Sequence, residues 1–383
     1  MDYIRRRITL FFILICISAA AQAQEISPEA KADSLFSFFS KSERPSAAIT
    51  VMQKDSVLLE KYYGNAQINN TIPAQANTNY PIGNISNHFT AVGIMMLKED
   101  GKLSYDDNVY NILSNFPEYG RQITVKNLLQ QTSGLPRFSK KRESLLQTYK
   151  QKKPFLNWYY RSSDVLRNED VLNFLNSQSS LEFSPGKTWK YNPVNYIILA
   201  EIIEAKSGMS YRRFIKKNIF KPLEMNNSEV VREHFKPNLS NIAYGYFPQE
   251  DNNTFEQHFA HVRNKLYGST GIYTNINDFQ KWIAGLSQNK LLSSKTFSQA
   301  LDMKFFYNVT RYYGFGWYLE FHNHGKLYAY QGNNTLGTTH LIMYIPQEDL
   351  YTVIFTNHGA VFGMHEKAME LINMFSEKTY KKR

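Results

Sequence analysis

The sequence predicts an α+β fold, in which one antiparallel β-sheet is flanked by N- and C-terminal helices and an all-helical region is inserted into the chain. Strand-like segments lie near both ends of the chain, and the long stretch between them has helical periodicity. We expect a signal peptide over 1–23 and a single domain over 24–383. Its sheet region covers about 24–83 and 266–383, and its helical region covers about 84–265.

The first residues have the pattern of a signal peptide. "MDYIRRR" is basic, and "ITLFFILICISAA" is apolar but shorter than the roughly 20 residues of a membrane-spanning helix. Ala21-Gln22-Ala23 then fits a small-x-small cleavage site. A retained membrane anchor is the alternative, and Ile15 before Cys16 disfavours a lipid anchor. The sequence therefore predicts an exported bacterial protein, periplasmic or secreted, with no membrane span after cleavage.

Composition excludes several classes of site. Cys16 is the only cysteine, so the mature chain has neither disulfides nor thiolate ligands. Loss of the leader changes the net charge from +11 to +9, because three arginines and one aspartate leave with it. Within 137–161, eight basic residues accompany one glutamate, which suggests either a solvated face or a site for an acidic ligand. Nucleic acid is not an expected partner, since no known binding module is present.

Local signals predict the individual elements. Ser27 before Pro28 is typical of a helix start, here over 28–40. A hairpin is expected over 47–64 around the turn at 53–55, and a long helix should end at Gly208. "YGFGWYLEF", "LYAYQG", "HLIMYIP" and "YTVIFTN" are predicted strands, and a final helix follows over 361–376.

The segment 85–99 is predicted to be an amphipathic helix. Ile85, Phe89, Val92 and Met96 recur at helical spacing, and Gly101 is suited to end the helix. Asn84 is expected at or near the N-cap, a position that suits asparagine because its side chain can accept a backbone N–H bond.

The start of this helix, "GNISNHFTA", resembles the first motif of the serine β-lactamase and penicillin-binding-protein superfamily. The similarity is to the branch of class C β-lactamases, D-alanyl-D-alanine peptidases and esterases. In that motif, Ser-x-x-Lys, the serine attacks an acyl carbonyl and the lysine helps to remove its proton. The alignment places Asn84 at the serine and Asn87 at the lysine.

Four further segments carry the resemblance along the chain, in the order that the family has them. "ITVKNLLQQTSGLP" ends in the family's Thr-Ser-Gly-Leu-Pro and has Gln131 where histidine is common. "FSPGKTWKYNPVNY" covers the second motif, "GSTGIYTNINDFQKWI" the turn and helix before the last strands, and "YQGNNTLG" the third motif. The resemblance implies a β-lactamase/transpeptidase-like fold with a cleft between the sheet and the helical region.

Two further motifs depart from the family pattern. Tyr-x-Asn reads Tyr191-Asn192-Pro193, and the His-x-Gly or Lys-Thr-Gly strand motif reads Tyr330-Gln331-Gly332. The family-equivalent catalytic positions are then Asn84, Asn87, Tyr191 and Tyr330. The substrate-binding positions that the resemblance implies are Asn84, Tyr191, Asn192, Tyr330, Gly332 and Asn333, with the backbone N–H groups of Asn84 and Asn333 as oxyanion donors.

Other polar residues near these motifs are expected to have structural roles. Ser86 is interpreted as an ordinary serine at a helix start. His88 and His340 have no second ligand at metal-binding spacing, so neither a metal nor another cofactor is predicted.

The leading hypothesis is a family member without catalysis, because a carboxamide is neither a nucleophile nor a base at neutral pH. It would bind a peptide-like or cell-wall-derived ligand, or a protein partner, in the former active-site cleft. The alternative is an active esterase or peptidase with a relocated nucleophile, for which Ser86, Ser269 and Thr270 are the candidates. A third hypothesis, compatible with the first, is an interaction module that works through the basic segment 137–161 and binds in a salt-dependent way. Charge reversal at Lys140, Lys141 and Arg142 would test it.

Overall fold

The computed structural model describes residues 26–41, 43–138, 167–230, 241–250, 253–258, 266–302, 306–308, 311–322, 327–335 and 337–376. These residues form a large antiparallel sheet with helices on both of its faces, so the predicted α+β class is confirmed. The predicted signal peptide and most of the basic segment 137–161 lie outside the described residues.

The N-terminal half contains one helix, a group of strands and then most of the helices. In chain order these are α1 (Pro28–Leu35), β1 (Ala47–Gln53), β2 (Ser56–Tyr63), β3 (Asn65–Gln67), β4 (Ile72–Pro73), β5 (Tyr80–Pro81), α2 (Ser86–Glu99), α3 (Val109–Ile112), α4 (Val125–Leu129), α5 (Asn168–Asn176), α6 (Val194–Ser207) and α7 (Tyr211–Ile215).

The C-terminal half supplies most of the sheet. Its elements are β6 (Glu229–Val230), β7 (Gly245–Pro248), β8 (Phe255–His258), β9 (Ile272–Thr274), α8 (Ile276–Ser287), α9 (Ser294–Phe297), β10 (Phe306–Asn308), β11 (Arg311–Tyr313), β12 (Tyr318–Phe321), β13 (Leu327–Thr335), β14 (Thr338–Ile345), β15 (Leu350–Thr356) and α10 (Met364–Phe375).

The main sheet joins strands from both ends of the chain. Its order is β10-β11-β12-β13-β14-β15-β1-β2, and β1 pairs with β15 so that Ala47 lies opposite Thr356. This pairing confirms that the terminal strand segments form one antiparallel sheet. Three small sheets, β3-β4, β5-β9-β6 and β7-β8, lie outside it.

The two faces of the sheet bury different helices. Ile49 and Val51 of β1 belong to an apolar cluster that contains residues of α1 and α10. Ala48 and Met52 point to the other face, where the helical region packs. This alternation is the period of two that a strand imposes, and it gives each face its own core.

Two predictions about the elements are wrong in detail. The predicted helix over 28–40 ends at Leu35, and a separate 3₁₀ turn follows over Ser37–Ser40. The region 84–265 is not all-helical, because it contains the short strands β6, β7 and β8. Among the described residues, no helix is both long and apolar enough to cross a bilayer.

Helix α2 is buried around almost its whole circumference rather than amphipathic. Its residues from Ser86 to Met95 are all buried, and only Met96, Lys98 and Glu99 reach solvent. It ends where predicted: Gly101 has φ +68°, and the N–H of Lys102 donates to the Leu97 carbonyl at 2.9 Å. A helix buried on all sides is fixed firmly in the core, as is any residue at its first turn.

Candidate functional site

The first motif lies where a 3₁₀ turn, Gly83–Ile85, leads into α2. Asn84 is partly exposed within this turn, and the residue that caps α2 is Ile85, without a side-chain cap bond. Asn84 therefore lies near the N-cap, as predicted, but one residue before it, and the expected side-chain cap bond is not formed. Asn87 lies in the first turn of α2 and is fully buried. Its Nδ2 donates a hydrogen bond to the Tyr191 hydroxyl at 3.3 Å.

Tyr191 lies in the loop before α6, and its ring is partly exposed. Burial of the hydroxyl raises the pKa of Tyr191 to about 12, although Asn87, Ser269 and Gln331 counteract part of that rise. The phenol therefore keeps its proton at neutral pH. It can donate a hydrogen bond but is a poor general base.

Ser269 and Gln331 complete a group of four uncharged side chains, which we call the Tyr191 cluster: Asn87, Tyr191, Ser269 and Gln331. Gln331 Nε2 donates to the Asn84 carbonyl at 3.4 Å. Ser269 Oγ lies close enough to the Tyr191 hydroxyl to lower its pKa, but without the geometry of a hydrogen bond. Among the described residues, Asn87 Oδ1, Ser269 Oγ and Gln331 Oε1 have no hydrogen-bond partner.

Gln331, and not Tyr330, is the third-motif residue of this cluster. Successive residues of β13 point to opposite faces, so the Gln331 side chain meets Asn84 while Tyr330 points away. The Tyr330 ring lies 4.8 Å from the His365 ring of α10 and 5.4 Å from that of Tyr318. The structure therefore brings Gln331, and not Tyr330, to Asn84, while the Tyr330 ring is linked to Tyr191 through the stacked ring of Tyr318.

The same register changes the oxyanion donor expected on β13. Pairing with β12 ends at Tyr330, and beyond it no strand of the described residues pairs with the outer edge of β13, which we call its open edge. Thr335 pairs with Thr338 across a two-residue turn, so these two residues form a hydrogen-bonded pair. Along the two strands from there, non-hydrogen-bonded and hydrogen-bonded pairs alternate. This alternation directs the N–H of Asn333 to β14. The backbone groups of Gly332 and Asn334 then face the open edge, so Asn334 replaces Asn333 as the expected donor.

Asn192 is a structural residue rather than a ligand-binding one. It is buried, its Nδ2 donates to the Leu135 carbonyl at 2.7 Å, and its Oδ1 accepts from the Val194 N–H at 3.1 Å. Gln131 supports the same loop, because its Oε1 accepts from the Asn192 N–H at 2.9 Å. Gln131 adopts φ +61°, a strained conformation for a residue with a side chain. Both residues position the loop that carries Tyr191.

The two histidines singled out from the sequence are buried within the fold. The His88 ring stacks on Trp317 at 3.8 Å, and its Nε2 lies 3.1 Å from the Gly316 carbonyl. His340 donates through Nε2 to the Pro81 carbonyl at 2.9 Å and accepts from the Thr356 N–H. Burial lowers the pKa of each to about 3, so both are neutral and neither lies in the Tyr191 cluster.

Two of the three candidate relocated nucleophiles are engaged elsewhere. Ser86 is buried, and its Oγ accepts from the Ile272 N–H at 3.3 Å. The Thr270 hydroxyl donates to the Leu266 carbonyl at 3.0 Å. Ser269 alone of the three belongs to the Tyr191 cluster. Across the described ranges, no group of three His, Asp or Glu side chains has the arrangement of a metal site.

Gly268 sets the position of Ser269 and offers a test of this geometry. It has φ +96°, and an added Cβ would lie 2.2 Å from the Tyr196 carbonyl oxygen of α6. We expect Gly268→Ala to lower the free energy of unfolding by at least about 3 kcal/mol, because both the backbone and the contact are strained. Gly101→Ala is the matched control, since Gly101 also has positive φ but nothing within 4 Å. It should cost only about 1 kcal/mol in urea denaturation; equal costs for the two variants would contradict the described packing.

Comparison with known proteins identifies relatives over most of the chain. A model of the family described as "Beta-lactamase" matches residues 28–371. Penicillin-binding protein 4* of Bacillus subtilis is 27% identical over 349 residues, which cover 88% of this chain and 73% of that protein. Putative penicillin-binding protein PbpX of the same organism is 27% identical over 285 residues, covering 74% of this chain and 65% of PbpX.

Solved structures share the fold at lower identity. An octameric penicillin-binding protein homologue from Pyrococcus abyssi superposes with a TM-score of 0.73 and 23% identity, covering 90% of this chain and 77% of that one. A D-amino acid amidase from Ochrobactrum anthropi SV3, solved with L-phenylalanine amide, superposes with a TM-score of 0.70 and 19% identity. The superposition covers 91% of this chain and 98% of the amidase.

Proposed function

Because this chain belongs to the β-lactamase family of serine hydrolases, we propose that it is a member without catalysis, whose former active site binds a peptide-like or cell-wall-derived ligand. The observation that carries the proposal is the contact between Asn87 and Tyr191 at 3.3 Å. It occupies the place where the family has a base and its tyrosine partner. Neither a carboxamide nor a phenol of pKa about 12 accepts a proton efficiently at neutral pH.

The remaining parts of the site support binding without reaction. Asn84 supplies no hydroxyl for attack, and the open edge of β13 retains backbone groups that need no particular side chain. Relatives named as penicillin-binding proteins, and a neighbour named as a D-amino acid amidase, favour a peptide-like or amide-bearing ligand. A protein partner at the same site is the alternative occupant. Export to the periplasm or the medium is part of the proposal, as the predicted leader suggests.

The test is the intact mass of the protein after incubation with a reactive penicillin and, separately, with a fluorophosphonate. We expect no adduct from either reagent, because removal of a nucleophile–base unit typically costs on the order of 10⁴ to 10⁶ in turnover. An adduct that maps to one hydroxyl would refute the proposal and identify the nucleophile.

Ser269 gives a second candidate function, an active hydrolase with a relocated nucleophile. Its buried hydroxyl has no hydrogen-bond partner among the described residues and lies beside Tyr191. A protonated phenol activates it poorly, so we rank this function second. If the natural protein does form an adduct, loss of that adduct in Ser269→Ala would establish this function instead.

A further inference from the structure

We propose that the Tyr191 cluster selects a ligand with an uncharged primary carboxamide over the same ligand with a free carboxylate. The inference rests on the proposed binding function and specifies the chemical class of the ligand.

The first argument is the set of unpartnered acceptors. Asn87 and Gln331 are 0% exposed and Ser269 is 1% exposed, yet Asn87 Oδ1, Gln331 Oε1 and Ser269 Oγ accept no hydrogen bond from any described residue. A buried acceptor without a donor is costly, and native structures contain few of them. Three of them lie around one phenol, and in the complex that we propose the bound molecule supplies their donors.

The orientation of the carboxamides defines which atoms are free. Gln331 Nε2 is directed to two carbonyl oxygens, that of Asn84 at 3.4 Å and that of Gly332 at 3.5 Å. Its Oε1 therefore points away from both. In Asn87 too the amide nitrogen is bonded and the oxygen is free, because Nδ2 is directed to the Tyr191 hydroxyl. The two free oxygens are acceptors, so their partner must present N–H or O–H groups.

The second argument is the charge of the site. The resemblance implies a lysine at position 87 and a basic or imidazole group at position 330, and here these are a carboxamide and a phenol. Of the charged groups described, only Arg137 influences the pKa of Tyr191, with the smallest effect of those identified, and its side chain is exposed. A ligand carboxylate would face acceptor oxygens without a buried cation. A primary carboxamide would instead offer two N–H donors, and its carbonyl can accept from the Tyr191 hydroxyl.

The experiment compares N-acetyl-D-phenylalanine amide with N-acetyl-D-phenylalanine, two probes that differ only in this group. Binding is measured by calorimetric titration of the full protein at pH 7. We expect the amide to bind at least about tenfold more tightly, since the acid leaves the two acceptors facing an anion. Gln331→Lys and Asn87→Lys each place a cation in the cluster, and each should shift the preference towards the acid. Gln122→Lys adds the same charge at an exposed position and should leave the preference unchanged.

The outcomes separate this inference from the proposed function. Equal affinities, tighter binding of the acid, or no binding of either probe would overturn the carboxamide preference, while the absence of an acyl adduct would still support a protein without catalysis. Tight binding of the amide followed by its hydrolysis would have the opposite meaning: the preference would stand and the proposed loss of catalysis would fall. Thermal unfolding of each variant verifies that it is folded.

Discussion

The double variant Asn84→Ser/Asn87→Lys is expected to form a covalent adduct with penicillin, whereas the natural protein forms none. Position 84 is partly exposed on the turn before α2, so a hydroxyl there would be accessible. Position 87 is fully buried beside Tyr191, and burial lowers the pKa of a lysine towards the range of a general base. We expect the rate of acylation to rise by at least about 10³ over the natural protein, part of what such a unit contributes.

The single variants are the controls for this experiment. Asn84→Ser alone has a hydroxyl without a base, and Asn87→Lys alone has a base without a hydroxyl, so intact mass should show little or no adduct in either. Adding Gln331→His to the double variant should raise the rate further, because Gln331 is the third-motif residue that meets Asn84. A folded double variant that remains unlabelled would mean that the site no longer has the geometry for acyl transfer.

The second large effect expected is a loss of stability in mild acid. His88 and His340 are neutral in the folded state because burial lowers their pKa to about 3, whereas in the unfolded chain a histidine titrates near 6.5. Between these values the unfolded state binds more protons, so the free energy of unfolding falls as the pH falls. Between pH 6.5 and pH 5, the two histidines together should remove roughly 3 kcal/mol.

Urea denaturation at pH 7, 6 and 5 measures this effect, and ordinary carboxyl groups titrate mainly below that window. His340→Gln should be less stable than the natural protein at pH 7, because His340 uses both ring nitrogens in hydrogen bonds. Its free energy of unfolding should nevertheless depend less steeply on pH. In the variant, unfolding takes up about one proton fewer than in the natural protein. A variant with the same pH dependence as the natural protein would exclude His340 as a source of the acid sensitivity.

The strands and the long helices were predictable because their signals are local. The hairpin of β1 and β2 follows from the β-prone stretches on either side of the polar turn at Lys54, which indeed has positive φ. Gly101 and Gly208 end α2 and α6, as their sequence positions indicate. The burial of α2 on all sides could not be predicted, because it depends on α6 and α7 packing around it.

The candidate site was predictable in its main chain positions but not in the directions of its side chains. Asn87 and Tyr191 do meet, as the motif order implies. Tyr330 was assigned in place of Gln331 because the motif alone does not fix which face of a strand a residue takes. Counting back from the two-residue turn between Thr335 and Thr338 would have corrected it, since one residue of register reverses every side chain. Asn192 was misassigned because its buried partners lie far away in sequence.

The pairing of β1 with both β2 and β15 has a consequence for how this protein folds. During synthesis, β1 and β2 can form a hairpin early, but the other edge of β1 gains its neighbour only when β15 has been made. Contacts so distant in sequence slow folding, and an unpaired strand edge is prone to aggregation in the meantime. Completion of the central sheet therefore depends on the last strand of the chain, and protection of the nascent hairpin by a chaperone would matter most before that strand emerges.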